Sequence, residues 1–144
     1  MRRLALVVAG MSLCATIASA GDAEVFDFNK EIAKANPQAG AANRFMIRTG
    51  EYTVSAVVVR EEIPTHDHKD GNHVLYIVSG QGKAIVAGKP VPLKPGVLIH
   101  IPQGVVHSIK AERGKITFVD FVQHAFDPNQ AERDRKSTRL NSSH

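Results

Sequence analysis

Short apolar segments, separated by turns that contain glycine or proline, make up most of the chain from residue 44 onward. Several of them alternate apolar with polar residues, and such neighbours point to opposite faces of a β-strand. The predicted strands are residues 44–48, 52–60, 74–78, 83–86, 91–93, 97–101, 106–110 and 116–122. Because short strands at near-regular spacing are typical of antiparallel folds, the pattern predicts one all-β sandwich or barrel.

The segment before these strands has a different composition. Residues 29–34 are predicted to form a short helical turn that ends near Asn36, because a residue that precedes proline disfavours the helical conformation. Residues 38–43 are rich in alanine and glycine, which predicts a flexible connector. We therefore expect an N-terminal extension over residues 21–43 and one strand-rich domain over residues 44–126.

The first 20 residues have the pattern of an export signal. Arg2 and Arg3 precede an apolar run over residues 4–17, and Ala-Ser-Ala at residues 18–20 fits a cleavage site. The run is too short for a lasting membrane helix, so we expect a secreted or periplasmic protein without a permanent membrane anchor. Cleavage there would remove Cys14, the single cysteine, and exclude thiol ligands and disulfides from the mature chain.

The C-terminal end also carries residues that do not belong to the predicted fold. Residues 127–144 form a tail, and residues 134–144 within it resemble the translated product of a common sequencing-adapter oligonucleotide, which excludes His144 from any site. Residues 1–20 and residues 134–144 each carry a net charge of +2. The overall net charge of +4 therefore leaves residues 21–133 without net charge. With no Trp, two Tyr and six Phe, the chain offers neither a basic patch nor a stacking platform for nucleic acid.

Four histidines carry the strongest chemical signal in the sequence. His66 and His68 are two residues apart, so on a strand their imidazoles point to the same side while Asp67 points to the other. His73 follows after a short turn, and His107 follows a second segment rich in proline and glycine. Imidazole nitrogen is a preferred ligand of divalent transition metals. We therefore predict a metal site, since burying several imidazoles without partners is costly.

Strand alternation also predicts the surroundings of the four histidines. On the first strand of the site, Ile63 alternates with His66 and is expected on the opposite face. Tyr76 is likewise expected on the outer face of its strand. The residues predicted to point inward with the histidines are Leu75, Ile77, Ile109 and Ala111.

Two spacings in this region resemble the two sequence motifs of the cupin family. In the first motif, the histidine pair is followed after four residues by His73, where the family has glutamate, and after six more by Gly80. In the second motif, Gly96 and five residues precede the sequence Pro-Gln-Gly-Val-Val-His that ends at His107. Both internal spacings match the family, which makes the resemblance specific.

The resemblance implies a double-stranded β-helix, or jelly-roll barrel, and covers residues 54–122. It also implies one divalent transition metal, namely manganese, iron, copper, nickel or zinc. The implied metal ligands are His66, His68, His73 and His107. Two smaller departures from the family pattern are Arg60 in place of glycine and Ala111 in place of asparagine.

Histidine in place of the family's glutamate changes the expected charge of the site. Four neutral imidazoles leave the charge of a divalent ion uncompensated, whereas one carboxylate ligand would cancel half of it. We therefore expect the site to attract an anionic oxygen ligand. Because the carboxylate ligand is missing, a general base would come from the substrate itself, from bound hydroxide or from a neighbouring group.

The preferred function is an oxygenase-like enzyme acting on a small enolisable or phenolic compound. Two alternatives stay open, a metal-binding or ligand-sensing cupin without turnover and a Lewis-acid lyase or isomerase. An octahedral metal keeps two positions open for substrate, whereas four histidines close the shell of tetrahedral zinc. The sequence leaves the oligomeric state open. Because small cupins often pair through sheet edges, residues 44–48 would form the seam of a homodimer.

Several polar residues near the site have two interpretations. His73 either binds the metal or swings out on its turn and leaves three histidines. His100 either supports a ligand or is an ordinary structural histidine, while His124 is expected to be solvated. The acidic pair at residues 61–62 is expected at a solvated rim. Asp120 is either a buried carboxylate beside the site or a surface charge.

Overall fold

The computed structural model describes residues 21–69 and 71–124. The predicted export signal, residues 1–20, and the predicted tail, residues 127–144, lie outside the described residues and stay predictions. Asp70, three residues before His73, also lies outside them. Among the helices of the described part, none combines the length and the apolar character needed to cross a membrane.

The described residues form one short helix and seven strands that pair in antiparallel fashion. The helix α1 is Phe28–Ala33, within one residue of the predicted turn. The strands are β1 Ala41–Arg48, β2 Tyr52–Val59, β3 Glu62–His66, β4 Gly71–Val86, β5 Lys89–Leu93, β6 Leu98–Ile101 and β7 His107–His124. This architecture confirms the prediction of an all-β jelly-roll barrel.

The two long strands β4 and β7 run through both halves of the barrel. Residues 71–79 of β4 pair with 117–124 of β7, and residues 81–86 of β4 pair with 107–113 of β7. Strands β1, β2 and β6 extend the first half, whereas β3 and β5 extend the second. The pairing of β4 with β7 therefore sets the position of every other strand.

The sequence predicts four separate strands where the structure has these two continuous ones, so the predicted breaks at residues 79–82 and 111–115 are wrong. The ladder continues through residues 79–82 with shifts in register, because the glycines bend β4 instead of ending it. Gly80 has φ +87°, a conformation that favours glycine, and a Cβ atom there would clash with the carbonyl oxygen of Lys115. The first-motif glycine therefore permits the bend.

The main hydrophobic core fills the space between the two halves. Leu75, Ile77 and Ile109 are buried as predicted, Ala111 is half-buried against the core, and Tyr76 is exposed on the outer face. Each fully buried aliphatic side chain stabilises the fold by about 1.5–3 kcal/mol. The buried members of this core are Val57, Val59, Leu75, Ile77, Ala84, Leu93, Ile99, Ile101, Ile109, Ile116 and Phe118.

Helix α1 covers the outer face of β2. Asp27 caps its N-terminus, because the carboxylate accepts a hydrogen bond from the backbone N–H of Lys30 at 3.1 Å. Ile32 belongs to a second apolar cluster with Ala56 and Val58 of β2. Strand β2 is therefore buried on both faces, which explains its continuous run of apolar residues.

Strand β1 begins inside the segment predicted to be a flexible connector. It pairs with β2 from Ala41, which lies opposite Val59, so the connector prediction is wrong for residues 41–43. Small side chains do not prevent a strand when a neighbouring strand supplies the hydrogen-bond partners. As a result, the start of β1 lies against the barrel, next to its interior.

Arg60, which stands where the cupin motif has glycine, holds the chain just before β1. Its guanidinium Nη1 donates hydrogen bonds to the carbonyl oxygens of Asn36 and Ala39, both at 3.0 Å. Its backbone N–H donates to the carbonyl oxygen of Gly40 at 2.7 Å. Hydrogen bonds from a charged donor are stronger than neutral ones, so Arg60 fixes the loop that leads into β1.

We expect Gly82→Ala to lower the free energy of unfolding by about 3 kcal/mol, because the added methyl group must push against packed backbone. A Cβ at Gly82 would meet the carbonyl oxygen of Lys110 and the side chain of Ile116. Gly88→Ala is the control, since Gly88 has φ +76° but no atom within 4 Å of an added Cβ. It should cost about 1 kcal/mol of backbone strain. Urea unfolding measures the free energy of unfolding of both variants. An equal loss of stability in the two would contradict the predicted clash at Gly82.

Candidate metal centre

The four candidate histidines come from three strands and one loop. His66 ends β3, His68 follows it, His73 lies near the start of β4, and His107 begins β7. Because β3 pairs with β7, His66 lies directly opposite His107. Strand β4 pairs with the far end of β7 and thereby brings His73 to the same end of the interior. The fold therefore assembles both motifs around one point.

A β-bulge in β3 aims His66 at this point. Ile63 pairs with Ile109 and His66 pairs with His107. Between these two pairs β3 therefore contains one more residue than β7, which is a β-bulge. Pro64 lies within the bulge, where a residue without a backbone N–H is tolerated. The prediction that Ile63 and His66 face opposite sides is wrong, because the bulge turns both toward the interior, where both line the same cavity.

Three of the histidines converge closely. Candidate ligand nitrogens of His66, His68 and His107 all lie within 4.8 Å of one another. The Nε2 atoms of His66 and His68 are 3.0 Å apart. Their convergence matches the prediction that these residues point to one side, and it gives the group three nitrogen donors for one ion.

Hydrogen bonds to carbonyl oxygens fix which nitrogen of two of these rings carries the proton. His66 Nδ1 lies 2.7 Å from the carbonyl oxygen of Pro64, and His107 Nδ1 lies 2.9 Å from that of Val105. A carbonyl oxygen only accepts, so each Nδ1 carries the hydrogen and each Nε2 keeps a lone pair. Burial lowers the pKa of His107, which favours its neutral, ligand-competent form.

His73 lies beside the three-histidine group rather than within it. Its ring stacks on that of His68 with 3.9 Å between the centroids. Its Nδ1 lies 3.2 Å from Oδ1 of Asp120, while its Nε2 is buried and has no hydrogen-bond partner among the described residues. A buried polar atom without a partner is rare in native proteins, so this nitrogen suits a fourth metal ligand. That His73 binds the metal stays a prediction.

The loops of the two motifs are clamped together by hydrogen bonds that the sequence analysis missed. The backbone N–H of Gly104 donates to the carbonyl oxygen of His68 at 2.7 Å. The backbone N–H of Gln103 donates to the side-chain oxygen of Asn72 at 3.0 Å, and its side-chain amide donates to the carbonyl oxygen of Lys69. The amide side chains of Asn72 and Gln103, one near each motif, were the sequence feature that could have indicated these hydrogen bonds. The clamp holds His68 at a fixed distance from the second motif.

The histidines lie in a cavity of about 310 Å³, within the size range of small-molecule sites. Its walls are mainly apolar, and Asn43 lies at the exposed edge. Among the described residues that line it, Asp120 is the one ionisable side chain other than the histidines. The lining residues are Ala41, Ala42, Asn43, Val57, Ile63, His66, His68, His73, Leu75, His107, Ile109, Phe118 and Asp120.

Of the remaining polar candidates, Asp120 lines the cavity and the others do not. Asp120 faces the cavity, which supports the interpretation as a carboxylate beside the site rather than a surface charge. Asp67 is exposed, as expected for the residue between two inward histidines. His100 is exposed on β6, and the acidic pair at residues 61–62 is also exposed. His124 is half-buried at the end of β7, away from the cavity lining.

Comparison with known families agrees with this geometry. The family described as Cupin domain matches residues 53–120, which include both histidine motifs. None of the curated proteins matches the sequence. The family match and the cupin-fold neighbours support the cupin superfamily.

Solved structures with the same fold share little sequence with this chain. A cupin-2 domain-containing protein from Shewanella frigidimarina NCIMB 400 is 22% identical with a TM-score of 0.59, covering 69% of this chain and 94% of its own. KdgF from Halomonas sp. is 18% identical with a TM-score of 0.58, over 64% and 86%. A predicted oxalate decarboxylase from Thermotoga maritima is 18% identical with a TM-score of 0.56, over 59% and 81%. Such similarity shows the fold alone.

We expect the metal-free protein to lose stability on acidification in part through His107. Burial lowers its folded pKa below the unfolded value of about 6.5, so the unfolded state binds more protons between these two values. The free energy of unfolding should therefore fall as the pH drops from about 7.5 to about 5. Urea unfolding at both pH values should show a smaller loss for His107→Gln, whereas exposed His100→Gln keeps the wild-type loss. Equal losses in all three proteins would contradict this assignment.

We expect Arg60→Ala to loosen the cavity wall formed by the start of β1 without disturbing the histidines. The substitution removes both guanidinium hydrogen bonds to the loop before Ala41. Hydrogen exchange of the amides at residues 41–43 should become faster, while the metal dissociation constant stays within about threefold. Arg44→Ala is a matched control on the exposed edge strand. Unchanged exchange at residues 41–43 in Arg60→Ala would show that Arg60 does not hold this wall.

Proposed function

We propose that this cupin-fold chain is an oxygenase-like enzyme that holds one divalent transition metal and acts on a small enolisable or phenolic compound. The proposed ligands are His66, His68, His73 and His107. The observation that carries the proposal is the convergence of three histidine side chains at one end of a mainly apolar cavity. A structural zinc site would not need such a cavity beside it.

The donor atoms suit a borderline divalent ion. Imidazole nitrogen binds manganese, iron, copper, nickel and zinc, and the described residues of the site include no thiol that would favour a softer ion. When bound, such an ion supplies Lewis acidity toward an oxygen ligand and, if it is manganese, iron or copper, redox chemistry with dioxygen. The chain itself contributes Nε2 donors on rings oriented by hydrogen bonds at Nδ1, and a mainly apolar wall around them.

The cavity lining favours a small substrate with one anionic oxygen. Aliphatic side chains and Phe118 offer contact to an apolar or aromatic body and exclude water from it. No Lys or Arg occurs among the described residues that line the cavity, so a second carboxylate on a substrate would find no cationic side chain. The lining therefore supports an enol or a phenol over a dicarboxylate such as oxalate.

Two other functions remain as alternatives, each with its own observation. The buried Nε2 of His73 could complete a four-nitrogen shell around zinc, which would leave a binding or sensing module without turnover. Alternatively, the ion could serve only as a Lewis acid in a lyase or isomerase. We also propose export of the mature chain and pairing through β1, which lies at one edge of the sheet.

We expect the purified protein to contain close to one equivalent of manganese, iron or copper and to consume oxygen with 2,4-pentanedione or a flavonol. Metal content is measured by mass spectrometry, and oxygen uptake by an electrode. Stoichiometric zinc without oxygen uptake would instead favour the binding module, and turnover without oxygen would favour the lyase or isomerase. Protein that neither contains metal nor accepts it would contradict all three functions.

His107→Gln and His100→Gln form a matched pair of variants for this experiment. His107 is buried in the three-histidine group, whereas His100 is exposed on β6. The first substitution should weaken metal binding by at least about tenfold, and the second should leave it unchanged. Equal metal content in the two variants would place the metal elsewhere.

A further inference from the structure

The pairing of β4 with β7 places a carboxylate behind one of the candidate ligands. His73 lies opposite Val122, and Leu75 lies opposite Asp120, so His73 and Asp120 are diagonal neighbours on the inward face. The distance between His73 Nδ1 and Asp120 Oδ1 is 3.2 Å. Both side chains are largely shielded, with 7% of His73 and 19% of Asp120 exposed.

This contact determines how the His73 ring presents its second nitrogen. An ionised carboxylate only accepts hydrogen bonds, so the ring places its hydrogen on Nδ1 and leaves a lone pair on Nε2. The same Nε2 is the buried side-chain atom that has no partner among the described residues. In His66 and His107 a backbone carbonyl oxygen accepts the Nδ1 hydrogen bond. In His73 the acceptor is a carboxylate. A carboxylate behind the ring therefore supports His73 Nε2 as a metal donor more strongly than a neutral carbonyl oxygen would.

We propose that Asp120 is a positioning residue that makes His73 the fourth metal ligand and returns to the site the negative charge that the family's glutamate ligand would supply. The inference rests on the proposed metal function. The carboxylate holds the ring in its Nδ1-protonated form and lies one hydrogen bond away from the ring that would bind the ion through Nε2. It thereby replaces a direct carboxylate ligand with a carboxylate–histidine pair.

Asp120 changes the net charge of the site from that expected for a divalent ion with four neutral ligands. With Asp120 ionised, the divalent ion and its surroundings carry the same net charge as three imidazoles and one glutamate would leave. Asp120 also lines the cavity, so its field acts on a bound substrate as well. A substrate with one negative charge is attracted by the ion, whereas a second charge near Asp120 is repelled. Asp120 therefore adds a reason for the cavity to select a singly charged oxygen ligand.

The first test compares Asp120→Asn with Asp67→Asn by cobalt(II) titration of the full chain. Asparagine can still accept the hydrogen bond but removes the charge, and Asp67 is an exposed carboxylate between two of the same histidines. We expect Asp120→Asn to weaken cobalt binding by about 10- to 100-fold and to change the d–d absorption. Asp67→Asn should weaken it by less than about threefold and keep the spectrum. Similar behaviour of the two variants would overturn the proposal.

A double-mutant cycle separates action through His73 from a charge effect across space. In the His73→Gln background, we expect Asp120→Asn to weaken cobalt binding by a factor at least about threefold smaller than in the wild-type background, since only its charge effect across space remains. If it weakens affinity as much as in the wild-type background, Asp120 acts through its charge alone and the positioning role is wrong. Urea unfolding of each metal-free variant establishes that the compared proteins are folded.

Nitrogen-15 NMR of the wild-type protein tests the same proposal without any substitution. We expect His73 to carry its proton on Nδ1 before and after zinc is added, and zinc to shift the Nε2 resonance alone. A His73 Nε2 resonance that does not respond, while those of the other three histidines do, overturns the proposal but leaves the metal function intact. If no histidine responds to zinc, cobalt or manganese, the proposed function itself fails, and this inference fails with it.

Discussion

The antiparallel pairing between β4 and β7 is the constraint on which the rest of the structure depends. Both strands are long and bent, so their ladder forms both halves of the barrel and fixes where every shorter strand can join. The same ladder brings His73 and Asp120, which are 47 residues apart in the chain, within 3.2 Å of each other. Gly80 permits the bend in β4, so a motif residue that touches no ligand still decides whether the site can form.

Hydrogen bonds at Nδ1 determine which nitrogen each candidate ligand ring presents to the cavity. His66 and His107 donate from Nδ1 to backbone carbonyls, and His73 lies against Asp120. Each contact leaves the lone pair on Nε2, and burial lowers the pKa of His107, which favours its neutral form. In the proposed site, histidine where the cupin motif has glutamate therefore still leaves a carboxylate nearby, because Asp120 lies behind His73.

The N-terminal extension forms part of the cavity wall, as the barrel does. Helix α1 packs on β2, and Arg60 holds the loop between α1 and β1 through three backbone carbonyls. As a result, residues 41–43 close one wall of the cavity. A departure from the motif, arginine for glycine, thus has a specific structural consequence.

The sequence by itself determined the all-β class, the shared face of His66 and His68, and the burial of Leu75, Ile77 and Ile109. These features follow from side-chain alternation and local conformational preference, which depend on near neighbours. Only the tertiary structure decided that β4 and β7 continue through their glycines, that a bulge turns Ile63 inward, and that residues 41–43 form a strand. It also decided that Asp120 lies behind His73 and Arg60 behind the cavity wall. The reason is physical, because register and long-range hydrogen bonds arise when distant segments pair, and local alternation carries no information about which segments meet.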